Sequence, residues 1–226
     1  DYYANYMPNT GKYLEYALRG MRLGAEGKDS VEVSYFYLRL GNALIQTGFV
    51  DESLHYIDKS LELSEHNMYS RYVRAFVMYA KTKDLNNTRN LLLAEFQKDT
   101  MRFDILQDLG KVSYYLNDFE TAYQYYQRFN RMREAMKLDV YQHENMIIGV
   151  TYEKAGQKEA GKQFIESYRE FLNHDQSAYR HAGLGMYYAY TGNKQKALEH
   201  FRQFAKEDNI QYWLILFIDK DPMLAG

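Results

Sequence analysis

The chain is predicted to be all-α, built as a stack of antiparallel helix pairs, and three observations carry that prediction. A small dipeptide recurs: Leu40-Gly41, Leu109-Gly110, Ile148-Gly149 and Leu184-Gly185. Fixed offsets follow each of its glycines. Seven residues on stands a turn-type residue (Gly48, Asn117, Gly156, Gly192), five further a small one (Ser53, Ala122, Gly161, Ala197), and four beyond that a bulky apolar one (Ile57, Tyr126, Ile165, Phe201). Finally, the only prolines are Pro8 and Pro222, near the ends, so no ring interrupts the interior helices.

A degenerate copy, Ala75-Phe76, Lys83, Thr88 and Leu92, fits between the first two. The markers at 41, 76, 110, 149 and 185 then repeat about every 35 residues, the period of a two-helix unit. Each offset has a physical reason. A small residue in the first helix lets the second approach, and a small residue in the second does the same in return. The residue between helices takes a left-handed conformation, which Gly or Asn accepts cheaply. Lys83 accepts it less well, so a looser or reshaped turn is expected there. The bulky positions are expected to fill space between neighbouring units, since one unit cannot bury its apolar face alone.

Read in order, Ala17, Leu18 and Met21 look like the second helix of an incomplete repeat within 1–33. Repeats follow at about 34–67, 69–102, 103–136, 142–175 and 178–211, with a cap over 210–226 and the whole chain, 1–226, as one domain. Ala122 to Tyr141 is expected to be an extended second helix, because its repeat has extra length and no proline closes it. Ile210 to Ile218 reads as a closing helix, buried against the last repeat.

These residues resemble the tetratricopeptide repeat (TPR) family, whose pattern is an aromatic, Leu-Gly, Tyr, then Ala-x-x-x-Phe. Tyr37, Leu40, Gly41 and Leu44 are similar to the first helix of such a repeat, and Asp51, Glu52, Ser53 and Ile57 to the start of its second. Leu184, Gly185, Tyr188, Gly192, Ala197 and Phe201 match best, and the resemblance covers roughly 34–211. It implies a right-handed α-solenoid of about five repeats that binds proteins or peptides along its first helices. The region Ala17 to Asn67 is similar to repeats attached to bacterial signalling and transcription regulators.

Composition bounds the alternatives. A net charge of −2 gives no strong basic field, so direct nucleic-acid binding is not expected. No cysteine is present, which removes disulfides, thiol catalysis and Cys-ligated metals. The longest apolar run, Tyr212 to Ile218, is too short to span a membrane. Residue 1 is Asp, so a processed or excised chain is expected, and the compartment stays open.

No catalytic constellation stands out. Among His55, His66, His143, His174, His181 and His200, no two lie four apart on one helix. His143-Glu144 and His174-Asp175 are adjacent and point to different helix faces. Gly183-Leu184-Gly185 lacks the third glycine of a nucleotide loop, and no Gly-x-Ser-x-Gly elbow occurs. Asp51-Glu52 and Glu207-Asp208 sit at helix ends, where they cap or stay solvated. Arg128, Arg131, Arg133 and Lys137 could meet phosphate or an acidic partner, but read first as a solvated face. No metal, cofactor or catalytic residue is expected.

The resemblance places a partner-binding groove at Tyr35, Leu38, Asn42, Ile45, Lys111, Tyr114, Tyr115, Met146, Glu153, Tyr179, Met186 and Tyr190. Aromatic and Met side chains of this kind suit peptide segments, although some would instead be buried between helices. Asn42 matches one position of the chaperone-type carboxylate clamp, but Leu38, Asp104 and Asp108 stand where its cations belong. Acidic groups there would repel a carboxylate. The expected function is a non-catalytic scaffold for a protein or peptide, the sensing or coupling part of a larger bacterial regulator. The alternative is self-association, a homodimer through the apolar C-terminal segment.

Overall fold

The computed structural model describes residues 9–24, 29–208 and 210–224. Among them there are twelve α-helices and no strand. They are α1 (Thr10–Gly24), α2 (Ser30–Gln46), α3 (Val50–Leu63), α4 (Met68–Thr82), α5 (Leu85–Phe96), α6 (Phe103–Tyr115), α7 (Phe119–Ala135), α8 (Asn145–Lys154), α9 (Lys158–His174), α10 (Arg180–Tyr190), α11 (Lys194–Phe204) and α12 (Tyr212–Leu216). Short 3-10 turns stand at Gln142–Glu144 and Ile218–Lys220. By internal contacts the chain forms two compact units, Asp1–Lys98 with Asn209–Phe217, and Asp99–Asp208 with Ile218–Gly226.

Several helices start where a side chain caps them. Asp29, Asn67, Asp84, Asp118 and Asn193 each accept from the backbone N–H three residues on, satisfying one donor the helix leaves orphaned. The first helix of each pair stops at its turn marker. Gly48, Lys83, Asn117, Gly156 and Gly192 all have positive φ, between 57° and 85°. At four of them two bonds close the helix, for example Phe49 N–H to Leu44 O and Gly48 N–H to Ile45 O, the Schellman arrangement. Lys83 keeps the left-handed turn, and its N–H closes the helix on Tyr79 O at 2.7 Å. That is the simpler single-bond cap, so the turn is reshaped in its bonding and leaves two residues between the helices where the other four leave three.

In the first unit α2 pairs with α3 and α4 with α5. A Cβ added to Gly41 would stand 2.7 Å from Ile57, and Ser53 Oγ donates to Gly41 O at 2.7 Å. Ile57 therefore packs over the glycine of its own pair, not between units as the sequence suggests. The same holds in the second unit for Tyr126 on Gly110, Ile165 on Gly149 and Phe201 on Gly185. The contact is closest in α8/α9, where a Cβ on Gly149 would meet Gly161 O at 2.8 Å. Full burial of side chains such as Leu40, Ile45 and Ile57 contributes roughly 1.5–3 kcal/mol each.

Successive pairs are tied by polar groups as well as apolar ones. Between α2, α3 and α4 lies a buried hydroxyl network. Ser60 Oγ lies 2.7 Å from Ser34 O, 2.9 Å from Ser34 Oγ and 2.7 Å from Ser70 Oγ. Asn67 donates to Ser34 Oγ and caps α4. In the second unit Tyr114, Ala122, Met146, Val150, Ile165, Tyr168 and Leu172 form an apolar cluster. Beside it α7 ends at Ala135 rather than continuing to Tyr141. Lys137 turns left-handed (φ 52°), and Leu138 N–H bonds Arg133 O while Lys137 N–H bonds Glu134 O. This is a Schellman closure without glycine.

The C-terminal segment departs from expectation. The helix over Tyr212–Leu216 is shorter than the expected Ile210 to Ile218, and the rings of Trp213 and of Phe217 just after it pack in the first unit, against Phe76 and Tyr79 of α4.

Candidate functional site

The first helices of each pair carry the predicted groove residues, and the structure divides those residues into structural and accessible groups. In the first unit Tyr35 is 38% exposed, while Leu38 and Ile45 are buried. Asn42 donates to Tyr13 Oη at 3.2 Å, so its amide is already engaged. The clamp-position acids are occupied too. Asp104 holds Arg102 through two oxygens at 2.6 and 2.8 Å, and Asp108 lies 3.4 Å from Lys111.

The unexpected resident of the first unit is the C-terminal segment. Phe217 stacks on Tyr79 with centroids 4.5 Å apart and planes 3° apart. Trp213 and Phe217 both set their rings edge-on to Phe76, at 5.5 and 6.2 Å. Gln211 Nε2 donates to Gln46 Oε1 at 3.4 Å. The segment thus lies on α2 and α4, the two first helices of this unit. Leu214 and Ile215 face solvent.

In the second unit Lys111 is not a groove cation. Its ammonium lies 2.6 Å from Glu144. Burial would lower the Lys111 pKa, but the Glu144 and Asp108 carboxylates outweigh it and hold it above the ordinary lysine value. Burial would likewise raise the Glu144 carboxyl, and Lys111 with His143 instead holds it at about 2. Tyr114 is fully buried and donates to Asp221 Oδ1 at 2.8 Å. Burial first, and that carboxylate second, push its hydroxyl pKa up. Met146 is buried in the core cluster.

The remaining predicted residues stay partly accessible. Tyr115 leans on the core cluster. Tyr190 Oη donates to both oxygens of Glu153, at 2.8 and 2.9 Å, and its pKa is pushed up to about 12 by burial and then by that carboxylate. Met186 is half-buried beside it in sequence on α10, and Tyr179 precedes α10 with its ring 6.5 Å from Phe204. The structure therefore joins Glu153 of α8 to Tyr190 of α10 as one polar-aromatic pair, whereas Leu38, Ile45, Lys111, Tyr114 and Met146 serve the interior.

Sequence spacing missed a histidine pair. His181 of α10 and His200 of α11 meet Nδ1 to Nδ1 at 2.9 Å. Burial and then His181 lower the His200 pKa. The ring centroids are 5.2 Å apart, so the nitrogens lie almost on the line between the rings. One ring donates and the other accepts. Among the described residues no three His, Asp or Glu side chains are grouped to hold a metal ion. Two members of the basic cluster are tied down: Arg128 donates to Thr100 O, and Arg133 to Val140 O and Asn145 Oδ1. An open cleft of about 440 Å³ lies along α9 and the turn after it, lined by Ser167, Glu170, Phe171, His174, Asp175, Gln176 and Gln142.

No family model matches the sequence, and no curated protein matches it. Solved structures do match. The chain is similar to YrrB, described as a TPR protein with an unusual peptide-binding site, at 20% identity and TM-score 0.52, over 84% of this chain and 91% of that one. It is also similar to a MamA RS-1 double mutant, at 14% identity and TM-score 0.51, over 76% and 93%. The fold is that of the tetratricopeptide repeat: all-helical, in antiparallel pairs.

Proposed function

We propose that the chain is a non-catalytic scaffold whose first-helix surfaces bind a protein or peptide segment, and that it serves as the sensing or coupling part of a larger bacterial regulator. The observation that carries the reading is the surface of α8 and α10 in the second unit. There Tyr190, Met186 and Glu153 stay partly exposed, whereas Met146 and Tyr152 of α8 are buried. Tyrosine supplies contact area at low entropic cost, and methionine adapts to the side chain it meets. Glu153 keeps acceptor capacity beyond its bonds to Tyr190, which suits a Lys or Arg on the incoming segment. The peptide-binding site described for YrrB supports the same class of ligand.

Peptides selected from a random display library on the intact chain test the proposal. Tyr190→Ala and Glu153→Gln should each weaken the selected peptides at least about tenfold, equivalent to about 1.4 kcal/mol. Unchanged affinity in both variants would end the case for this surface. A second reading, self-association, is favoured by the exposure of Leu214 (37%) and Ile215 (46%) on α12. Light scattering on the intact chain separates the two. A concentration-dependent dimer lost in Ile215→Asp supports self-association, and a strict monomer removes it.

A further inference from the structure

We propose that residues Gln211 to Phe217 are a built-in occupant of the peptide-binding face of the first unit, displaced when a partner helix with two aromatic residues four positions apart takes the same seat. The inference rests on the scaffold reading above and assigns it a second surface, a ligand chemistry and a gate.

The seat is made of first-helix residues. Tyr79 is the platform on which Phe217 stacks, and Phe76 receives the edges of Trp213 and Phe217. Both rings are buried beneath the segment, Tyr79 at 0% and Phe76 at 8% exposure. Trp213 and Phe217 stand one helical turn apart, so a single helix face delivers both. An amphipathic helix laid in a groove uses such anchors. The chemistry of the preferred partner is therefore visible in the segment that stands in for it.

The segment is built to leave. Its helix, Tyr212–Leu216, is five residues long and its N-cap, Gln211, makes no side-chain cap bond. Helices that short are not stable in water, so its order is borrowed from the seat. The outer side, Leu214 and Ile215, is exposed. A partner with both aromatic anchors and a longer helix would make the same ring contacts at lower ordering cost.

The sequence supplies clean probes, because the chain contains one tryptophan, Trp213, and no cysteine. The experiment uses the intact chain and a fluorescein-labelled peptide of residues 209–220 in which Phe replaces Trp213. The peptide should bind the Phe217→Ala chain at least about tenfold more tightly than the unaltered chain, because the resident is loosened. On the unaltered chain, its binding should shift Trp213 emission to the red as the resident enters water. A second variant, Gln46→Cys with Gln211→Cys joined by a short bismaleimide, should bind no peptide. That arm changes no buried ring, so it decides even where Phe217→Ala lowers the helical signal. Peptide that binds none of the chains overturns the proposal and makes the segment a fixed cap. Equal binding to all three chains with Trp213 unmoved also overturns it, while leaving peptide binding elsewhere intact. A dimer formed by exchanged segments overturns it in favour of a second copy. The scaffold reading fails separately, through library peptides indifferent to Tyr190 and Glu153.

Discussion

The buried polar groups between helix pairs differ in the two units. In the first, Ser34, Ser60, Ser70 and Asn67 form a buried network that is polar but neutral. In the second, the half-buried Lys111 lies between the buried carboxylates of Glu144 and Asp108. The neutral network binds no protons that differ between folded and unfolded chain, so its contribution is indifferent to pH. The ionic cluster links stability to protons. One repeat architecture thus accommodates both kinds of buried cluster between its pairs, and of these two clusters only the ionic one is linked to protons; the ion pairs of α3 with α4, Asp58 with Arg74 and Asp51 with Lys81, are more exposed.

The largest expected break of this contrast is Lys111→Met. It strands two buried carboxylates and should cost about 3–5 kcal/mol. Hydrogen exchange should show α6 to α9 opening while α2 to α5 stay protected, and a loss below about 1 kcal/mol would contradict the buried-pair assignment. Acid should act on the same cluster. Glu144 has a folded value of about 2 against its ordinary 4.5. Its contribution is therefore complete above its ordinary value and is lost as pH falls through about 2. Exchange followed from about pH 5 to about pH 2 should show the second unit losing protection in that window, with Glu144→Gln flattening the dependence. Equal acid sensitivity of both units would erase the contrast.

Gly149→Ala tests the closest helix approach. The new Cβ would face the Gly161 carbonyl and Ile165, so urea unfolding should register a loss of about 2 kcal/mol. Ser60→Ala removes the hub of the neutral network and should cost about 1–2 kcal/mol by leaving partners unsatisfied. It should leave the acid profile unchanged, and a shifted profile would show that the network is not neutral. The smallest effect should be a gain. Lys83 holds φ at 57°, a strained conformation for a residue with a Cβ, so Lys83→Gly should stabilise the first unit by about 0.5–1 kcal/mol. A lower melting temperature would argue against strain at that turn.

The repeat was legible because its markers answer to backbone rules. A left-handed closure restricts the residue at 48, 117, 156 and 192, and the glycine-to-bulky offset reports a direct contact across one helix pair. Where a marker lacked its usual residue, the reading weakened. The end of α7 was missed because Lys137 takes the left-handed turn that glycine would have announced. The groove was less legible. First helices bury more than one face, so Ile45, Tyr114 and Met146 look like surface anchors in sequence and are core in space. His181 and His200 meet only through helix pairing. The seat of the C-terminal segment depends on contacts such as Gln211 with Gln46, 165 residues apart, and no local periodicity encodes a contact of that range.

The turns within pairs are short because each closure leads at once into the next helix, whereas the stretch from Met136 to Tyr141 is longer and is held at its ends, by the Lys137 closure and by the Tyr141 ring on Phe103 and Phe129. Two left-handed residues, Lys137 and Tyr141, bracket it inside the second unit. Its middle, Asp139 and Val140, is exposed, so an inserted epitope or reporter should be tolerated better there than at Gly48 or Gly192, where one residue separates the left-handed closure from the next helix.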